Sequence, residues 1–160
     1  MEQMKEHLPI ERLADAGESW YIGSDPNRDE FFLLRINMAA DFWRGHPLLD
    51  IRLDFGIMFN QPNPGGKPDE MEHDKVEAIG ERIYALLKNA GPALHVSTYT
   101  TGEFKSFSFY INNRETVPGI HRQIQAETKL YTVDCAGESD PEWTYFAEIR
   151  SKCAPPGNLN

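Results

Sequence analysis

The sequence predicts an α+β domain of the ferredoxin-like, split βαβ type, and three observations carry that prediction. Leu49, Ile51, Leu53, Phe55, Ile57 and Phe59 alternate with Asp50, Arg52 and Asp54, the period-two pattern of a strand with one buried face. Val76, Ile79, Ile83, Leu86 and Leu87 recur at helical spacing behind an acidic start. From Leu48 onward, strand and helix patterns follow one another as β-α-β-β-α-β. The expected product is an antiparallel sheet with two helices on one face and an added N-terminal β-hairpin.

Each element has a local reason. Residues 1–17 form an N-terminal arm, with Leu8, Ile10 and Leu13 as a short helix or irregular segment. Trp20, Tyr21 and Ile22 open the hairpin, Asp25-Pro26-Asn27 breaks it, and Phe32, Leu34, Ile36 and Met38 share one parity in its second strand. Leu49 to Phe59 is the clearest strand, ended by the Pro- and Gly-rich loop from Gln61 to Pro68. A helix runs over about Asp69 to Asn89. Asp69 and Glu72 have capping-box spacing, and acids crowd the first turns where the helix dipole favours them. Lys88, Gly91 and Pro92 stop it. Leu94 to Thr100 and Phe104 to Asn112 make a hairpin around Thr101-Gly102, with Phe107, Phe109 and Ile111 on one face and Ser106, Ser108 and Tyr110 on the other. A second helix follows over about Glu115 to Thr128, capped by Thr116, with Val117, Ile120 and Ile124 inward. Lys129 to Cys135 is the last core strand, ended by the Gly137–Pro141 break. Glu142 to Arg150 is a further strand or short helix. The face bearing Asp50, Arg52, Asp54, Ser106 and Ser108 is expected to stay partly open, with the N-terminal hairpin and the Trp143 segment extending the sheet. Residues 18–152 form the single domain, and 153–160, with Pro155, Pro156 and Gly157, a tail.

Charge narrows the function. Among 160 residues, Lys and Arg number 16 and Asp and Glu 25, a formal charge of −9. Such a surface repels phosphate backbones, so direct nucleic-acid binding is disfavoured and a basic protein partner is favoured. No stretch approaches the ~20 apolar residues of a membrane span, and Met1 to Pro9 lacks the apolar core of a secretory signal. Cys135 and Cys153 make no disulfide framework and lack C-x-x-C spacing, which suits reduced thiols in the cytoplasm.

The chemistry-bearing patterns are sparse. The chain has no P-loop, no G-x-G-x-x-G, no G-x-S-x-G and no H-E-x-x-H. His73 and Glu77 stand four apart on one helix, short of the three or four convergent ligands a metal needs. Cys135 with His95 or His121 as base lacks local support; a small buried thiol is the simpler reading. Asp50 and Asp54 flank Arg52, which makes a surface ion-pair ladder of them rather than an acid–base pair. Tyr110 on an open sheet face suggests base stacking, but Asp50 and Asp54 beside it oppose RNA. No catalytic group, metal or cofactor is therefore expected. The predicted partner surface is the acidic run Asp69, Glu70, Glu72, Asp74, Glu77 and Glu81, joined by Glu138, Asp140 and Glu142 with Trp143, Tyr145 and Phe146 as anchors. The alternative is a small-ligand binder or enzyme on the open face, through Asp50, Arg52, Asp54 and Tyr110. The oligomer is a monomer or homodimer, the Trp143 segment being one means of joining two copies.

Four stretches together resemble the bacterial family catalogued as domain of unknown function 695. They are Trp20-Tyr21; Glu72-x-x-x-Val76-x-x-Ile79-x-Glu81, with Gly80 where an acid is usual; the hairpin from Val96 to Tyr110, with Thr100, Gly102, Phe107, Phe109 and Tyr110; and Asp140-x-Glu142-Trp143, with Phe146 where a tyrosine is usual. The Gly-Arg that often precedes the hairpin threonine is replaced by Ser97 and Thr98. The family is similar in pattern to regulators of ribonuclease activity B, small acidic ferredoxin-like proteins that bind and inhibit an RNase. Small acidic proteins of this kind also serve as immunity proteins beside bacterial toxins. The resemblance implies a non-enzymatic inhibitor or regulator of a basic toxin or nuclease.

Overall fold

Alternation fixes the strands and 3.6-residue spacing the helices, and both fall close to where the hydrophobic pattern sets them. The computed structural model describes residues 6–23 and 28–154. The Asp25-Pro26-Asn27 break and the Pro155, Pro156 and Gly157 tail lie outside those residues. The strands are β1 (Trp20–Gly23), β2 (Leu33–Asn37), β3 (Ile51–Met58), β4 (Ala93–Thr100), β5 (Phe104–Ile111) and β6 (Val133–Ser139). The helices are α1 (Glu70–Ala90), α2 (Val117–Glu127) and α3 (Thr144–Cys153). All six strands join one sheet in the order β1-β2-β4-β5-β3-β6, and every neighbouring pair is antiparallel.

Parity sorts the sheet residues onto two faces. Phe55, Phe107, Phe109 and Ile111 meet Val76, Ile83 and Leu87 of α1 and Ile120 and Ile124 of α2, all buried. The expected two helices on one face are found there. Leu34, Ile36, Leu94, Val96 and Tyr110 point the other way and pack with Trp43, Trp143 and Phe146 in a second buried cluster. A bulge between His95 and Ser97 shifts the register of β4 against β5. Strict alternation fails there.

Three expectations need correction. The segment after β6 does not extend the sheet: it is α3, which covers the face expected to be open. Trp143, Phe146, Ile149 and Cys153 recur every three or four residues, so one helical stripe reaches the sheet. The last strand begins four residues later than predicted, because Gln125 of α2 holds the turn before it: its side chain accepts from Val133 N and donates to Tyr131 O. Pairing with β3 then carries β6 through Gly137 to Ser139. Thr116 does not cap α2. Its hydroxyl donates to Asn113 O, and Pro118 stands in the first turn instead. In the arm, Ile10–Asp15 forms a 3-10 helix whose Ile10 and Leu13 pack against the second cluster.

Candidate functional site

The predicted acids divide into exposed groups and structural groups. Asp69, Glu70, Asp74, Glu81, Glu138 and Glu142 are exposed. Asp69 is also the N-cap, accepting from Glu72 N at 3.0 Å. Glu72 is buried, and its carboxylate accepts from the backbone N–H of Asn60 and Gln61, the chain leaving β3. It ties a loop to α1 and is not a docking group.

Asp140 and Trp143 are likewise withdrawn from the predicted surface. The Tyr110 hydroxyl donates to Asp140 Oδ2 at 2.6 Å, and Thr144 N donates to Oδ1 at 2.8 Å. This carboxylate thus receives the α3 N-terminus and a sheet side chain together. Burial opposes its charge, but those hydrogen bonds outweigh it and hold the Asp140 carboxyl below its ordinary range. Trp143 is 0% exposed, its ring stacks on Tyr110 with centroids 4.0 Å apart, and its indole N–H donates to Leu49 O at 2.7 Å. It adopts φ 58°, a left-handed conformation rare for a bulky residue, at the start of α3. Such strain persists where surrounding contacts over-determine the position. A fully enclosed ring cannot anchor a partner or join two copies. On the alternative ligand face, Tyr110 is likewise enclosed, 0% exposed beneath Trp143, while Asp50, Arg52 and Asp54 are half-buried. Arg52 binds Asp54 at 2.8 Å and lies 3.6 Å from Glu138, its guanidinium over the Tyr145 ring at 4.3 Å. Asp50 stands outside that pair, so the predicted ladder is half formed.

Between α1 and the sheet lies an arrangement that sequence reasoning missed. Lys105 is 1% exposed, and its ammonium lies 2.8 Å from Glu77 Oε2, 2.9 Å from His73 Nε2 and 3.0 Å from Thr100 Oγ1. Thus the His73 and Glu77 pair converges on an ammonium. Burial lowers the Lys105 and His73 pKa values. For Glu77 burial acts upward, but Lys105 and Arg35 prevail and hold the carboxyl low. Arg35 Nη1 lies 3.5 Å from Glu77 Oε1, and its guanidinium sits 4.9 Å from the Trp20 ring centre. Trp20, Arg35 and Glu77 border a cavity of about 150 Å³ that Glu18, Glu81, Tyr84, His95 and Phe107 also line. Gly80 forms part of the wall, because a Cβ there would stand 2.1 Å from the Phe107 ring. His95 Nε2 lies 3.0 Å from Ser97 O, and burial pushes its pKa down to about 3. The ring is therefore neutral, with the proton on Nε2. The signal in the sequence was parity: Lys105 shares the side of Phe107 and Phe109, and Arg35 the side opposite Leu34 and Ile36.

Cys135 is half-buried on β6, and burial pushes its thiol up to about 11. His121 Nε2 is engaged by Val133 O. Neither is prepared for nucleophilic work. Among the described residues no group of three or more His, Cys, Asp or Glu could hold a metal, and no helix is long and apolar enough to cross a membrane.

The architecture is that of an α+β protein whose characteristic residues knit helices to a six-stranded antiparallel sheet. A family model described as a family of unknown function (DUF695) matches residues 18–149, and the chain belongs to that family. No curated protein and no solved structure matches the chain significantly.

Proposed function

We propose that this protein is a non-enzymatic protein-binding module that inhibits or regulates a basic partner, as a toxin immunity protein or ribonuclease regulator does. One observation carries the reading: exposed acids surround large apolar side chains that the fold leaves uncovered. Met71 is 72% and Leu130 74% exposed. Asn60 joins their neighbourhoods, donating from its backbone to Glu72 and from its side chain to Leu130 O. Asp69, Glu70 and Asp74 are exposed around the same helix start. Apolar contact with an acidic rim suits a basic protein surface, with the acids steering encounter and the apolar groups slowing release. The net charge of −9 supports the same polarity. On this reading the unit from β3 to β6 is a ferredoxin-like split βαβ scaffold, and the protein acts in the bacterial cytoplasm.

The test is capture under native expression at low and high salt, with a Glu70→Lys/Asp74→Lys variant as control. A specific partner that is lost at high salt and lost to the variant is the expected result. A partner held equally by the variant, or none at either salt, removes the proposal. Light scattering at several concentrations separates monomer from homodimer.

A further inference from the structure

The cavity between α1 and the sheet has walls with a definite chemical preference. Its rim carries the exposed carboxylates of Glu18 and Glu81, and Glu77 stands within. His95 also lines it, with Nδ1 as its unprotonated ring nitrogen, since its proton is on Nε2 towards Ser97 O. Trp20 and Tyr84 supply aromatic surface, each edge-on to the His95 ring at 4.9 and 5.6 Å. The Trp20 indole N–H bonds Glu18 Oε2 at 3.3 Å, Arg35 lies 3.5 Å from Glu77 as the one cation among the described lining residues, and the Lys88 ammonium sits 4.2 Å from the Tyr84 ring centre. The lining thus sets three carboxylates, Glu18, Glu77 and Glu81, against a single guanidinium, beside aromatic surface. A ligand that fits must bring N–H donors and positive charge, and a planar one gains by stacking. The chain already makes the same contact with itself, because the Arg35 guanidinium lies over Trp20 beside a carboxylate. The cavity of about 150 Å³ is ample for the five non-hydrogen atoms of a methylguanidinium ion, since one water needs only about 10–15 Å³ of such space.

We propose that this cavity binds a guanidinium group, with Glu18 and Glu81 as its charge partners and Trp20 and Tyr84 as its aromatic walls. The group comes either from an arginine side chain of a protein or from a free small cation. The site lies apart from Met71 and Leu130 and does not require the partner reading above.

The experiment is an NMR titration of the full ¹⁵N-labelled chain at low salt, following the Trp20 indole N–H. Methylguanidinium should give a saturable shift with a dissociation constant of about 1 mM, the range open to so small a ligand. Urea, planar but neutral, should give none. The Glu18→Gln/Glu81→Gln variant should bind at least about tenfold more weakly. Both positions are exposed, so the variant is expected to fold, and its amide spectrum verifies that directly. N-acetyl-arginine amide identifies the source: binding as tight as methylguanidinium assigns the site to a protein side chain, and exclusion of the larger probe assigns it to a free cation. An unsaturable response, an equal response to urea, or an unchanged affinity in the double variant overturns the site. None of those results touches the test on Glu70 and Asp74, so the two proposals fail separately.

Discussion

Gly80 shows how one residue decides an interface. A helix interior normally favours Ala over Gly by about 1 kcal/mol. Here the added Cβ would fall 2.1 Å from the Phe107 ring, which is 1% exposed, so either the ring or the helix must shift. Overpacking costs about 1–3 kcal/mol. Gly80→Ala should therefore lower stability by about 1–2 kcal/mol in urea unfolding; a gain would show that α1 can lift from the sheet without cost. His95 makes a second residue-scale prediction. Its folded pKa is depressed from 6.5 to about 3, so the unfolded chain takes up a proton that the native ring refuses. Stability is full above the unfolded value and falls as pH drops below it, by about 2–3 kcal/mol at about pH 4.5. Burial shifts His73 the same way. Glu77, held low, adds its own loss only below the ordinary carboxylate range. The urea midpoint should thus decline between about pH 6.5 and about pH 4.5, and more shallowly in His95→Phe; an unchanged slope would place the loss elsewhere. Little of this was legible in the sequence. An isolated His gives no periodic signal, and the bulge at His95/Ser97 breaks the alternation that would have assigned its face.

At the scale of elements, α3 is held by a small lock. Trp143 stacks on Tyr110, the Tyr110 hydroxyl bonds Asp140, and Asp140 receives the first N–H groups of the helix. Trp143→Ala should cost about 3–5 kcal/mol, since it empties a fully enclosed site. Tyr110→Phe keeps the stack and removes a hydrogen bond to a charged acceptor, for about 1–3 kcal/mol. Because both act on one network, the double variant should lose less than the sum, and a double-mutant cycle in urea measures the coupling. Simple additivity would mean that stack and hydrogen bond act independently. The same lock explains what the sequence did and did not reveal about the elements. β3, α1, β5 and α2 carry clean period-two or period-3.6 patterns, and with β4 they lie within two residues of where the sequence sets them. The Trp143 segment is dense in aromatics, which satisfies a strand and a helix pattern alike, and only tertiary packing selects the helix. Asp140 and Trp143 read as surface features because a carboxylate and an indole beside acids resemble an interface. Their burial follows from Tyr110, thirty-odd positions away in the chain.

At the scale of the molecule, what matters is where charge is free to act. Glu72 and Asp140 are consumed by backbone N–H groups and Glu77 by Lys105, so the effective acidic surface is smaller than the sequence count implied. What remains outward on α1 is Asp69, Glu70, Asp74 and Glu81, and of these Glu70 and Asp74 neither cap the helix nor line the cavity. Converting both to lysine adds four charges to −9, leaving −5. The fold should tolerate the change, losing roughly 0.3–1 kcal/mol because Glu70 leaves the favourable end of the helix dipole. Association should suffer far more. Steering by complementary fields raises on-rates by about 10- to 1000-fold at low ionic strength, and that gain collapses as the screening length falls from ~10 Å at 0.1 M to ~3 Å at 1 M salt. With the captured partner in stopped flow, the variant should associate at least about tenfold more slowly than the native chain at low salt, and the two rates should converge at high salt. Dissociation, governed by apolar contacts such as Met71 and Leu130, should change little between them. A salt-independent rate for the native chain would mean that its charge serves solubility and that recognition lies elsewhere on the surface.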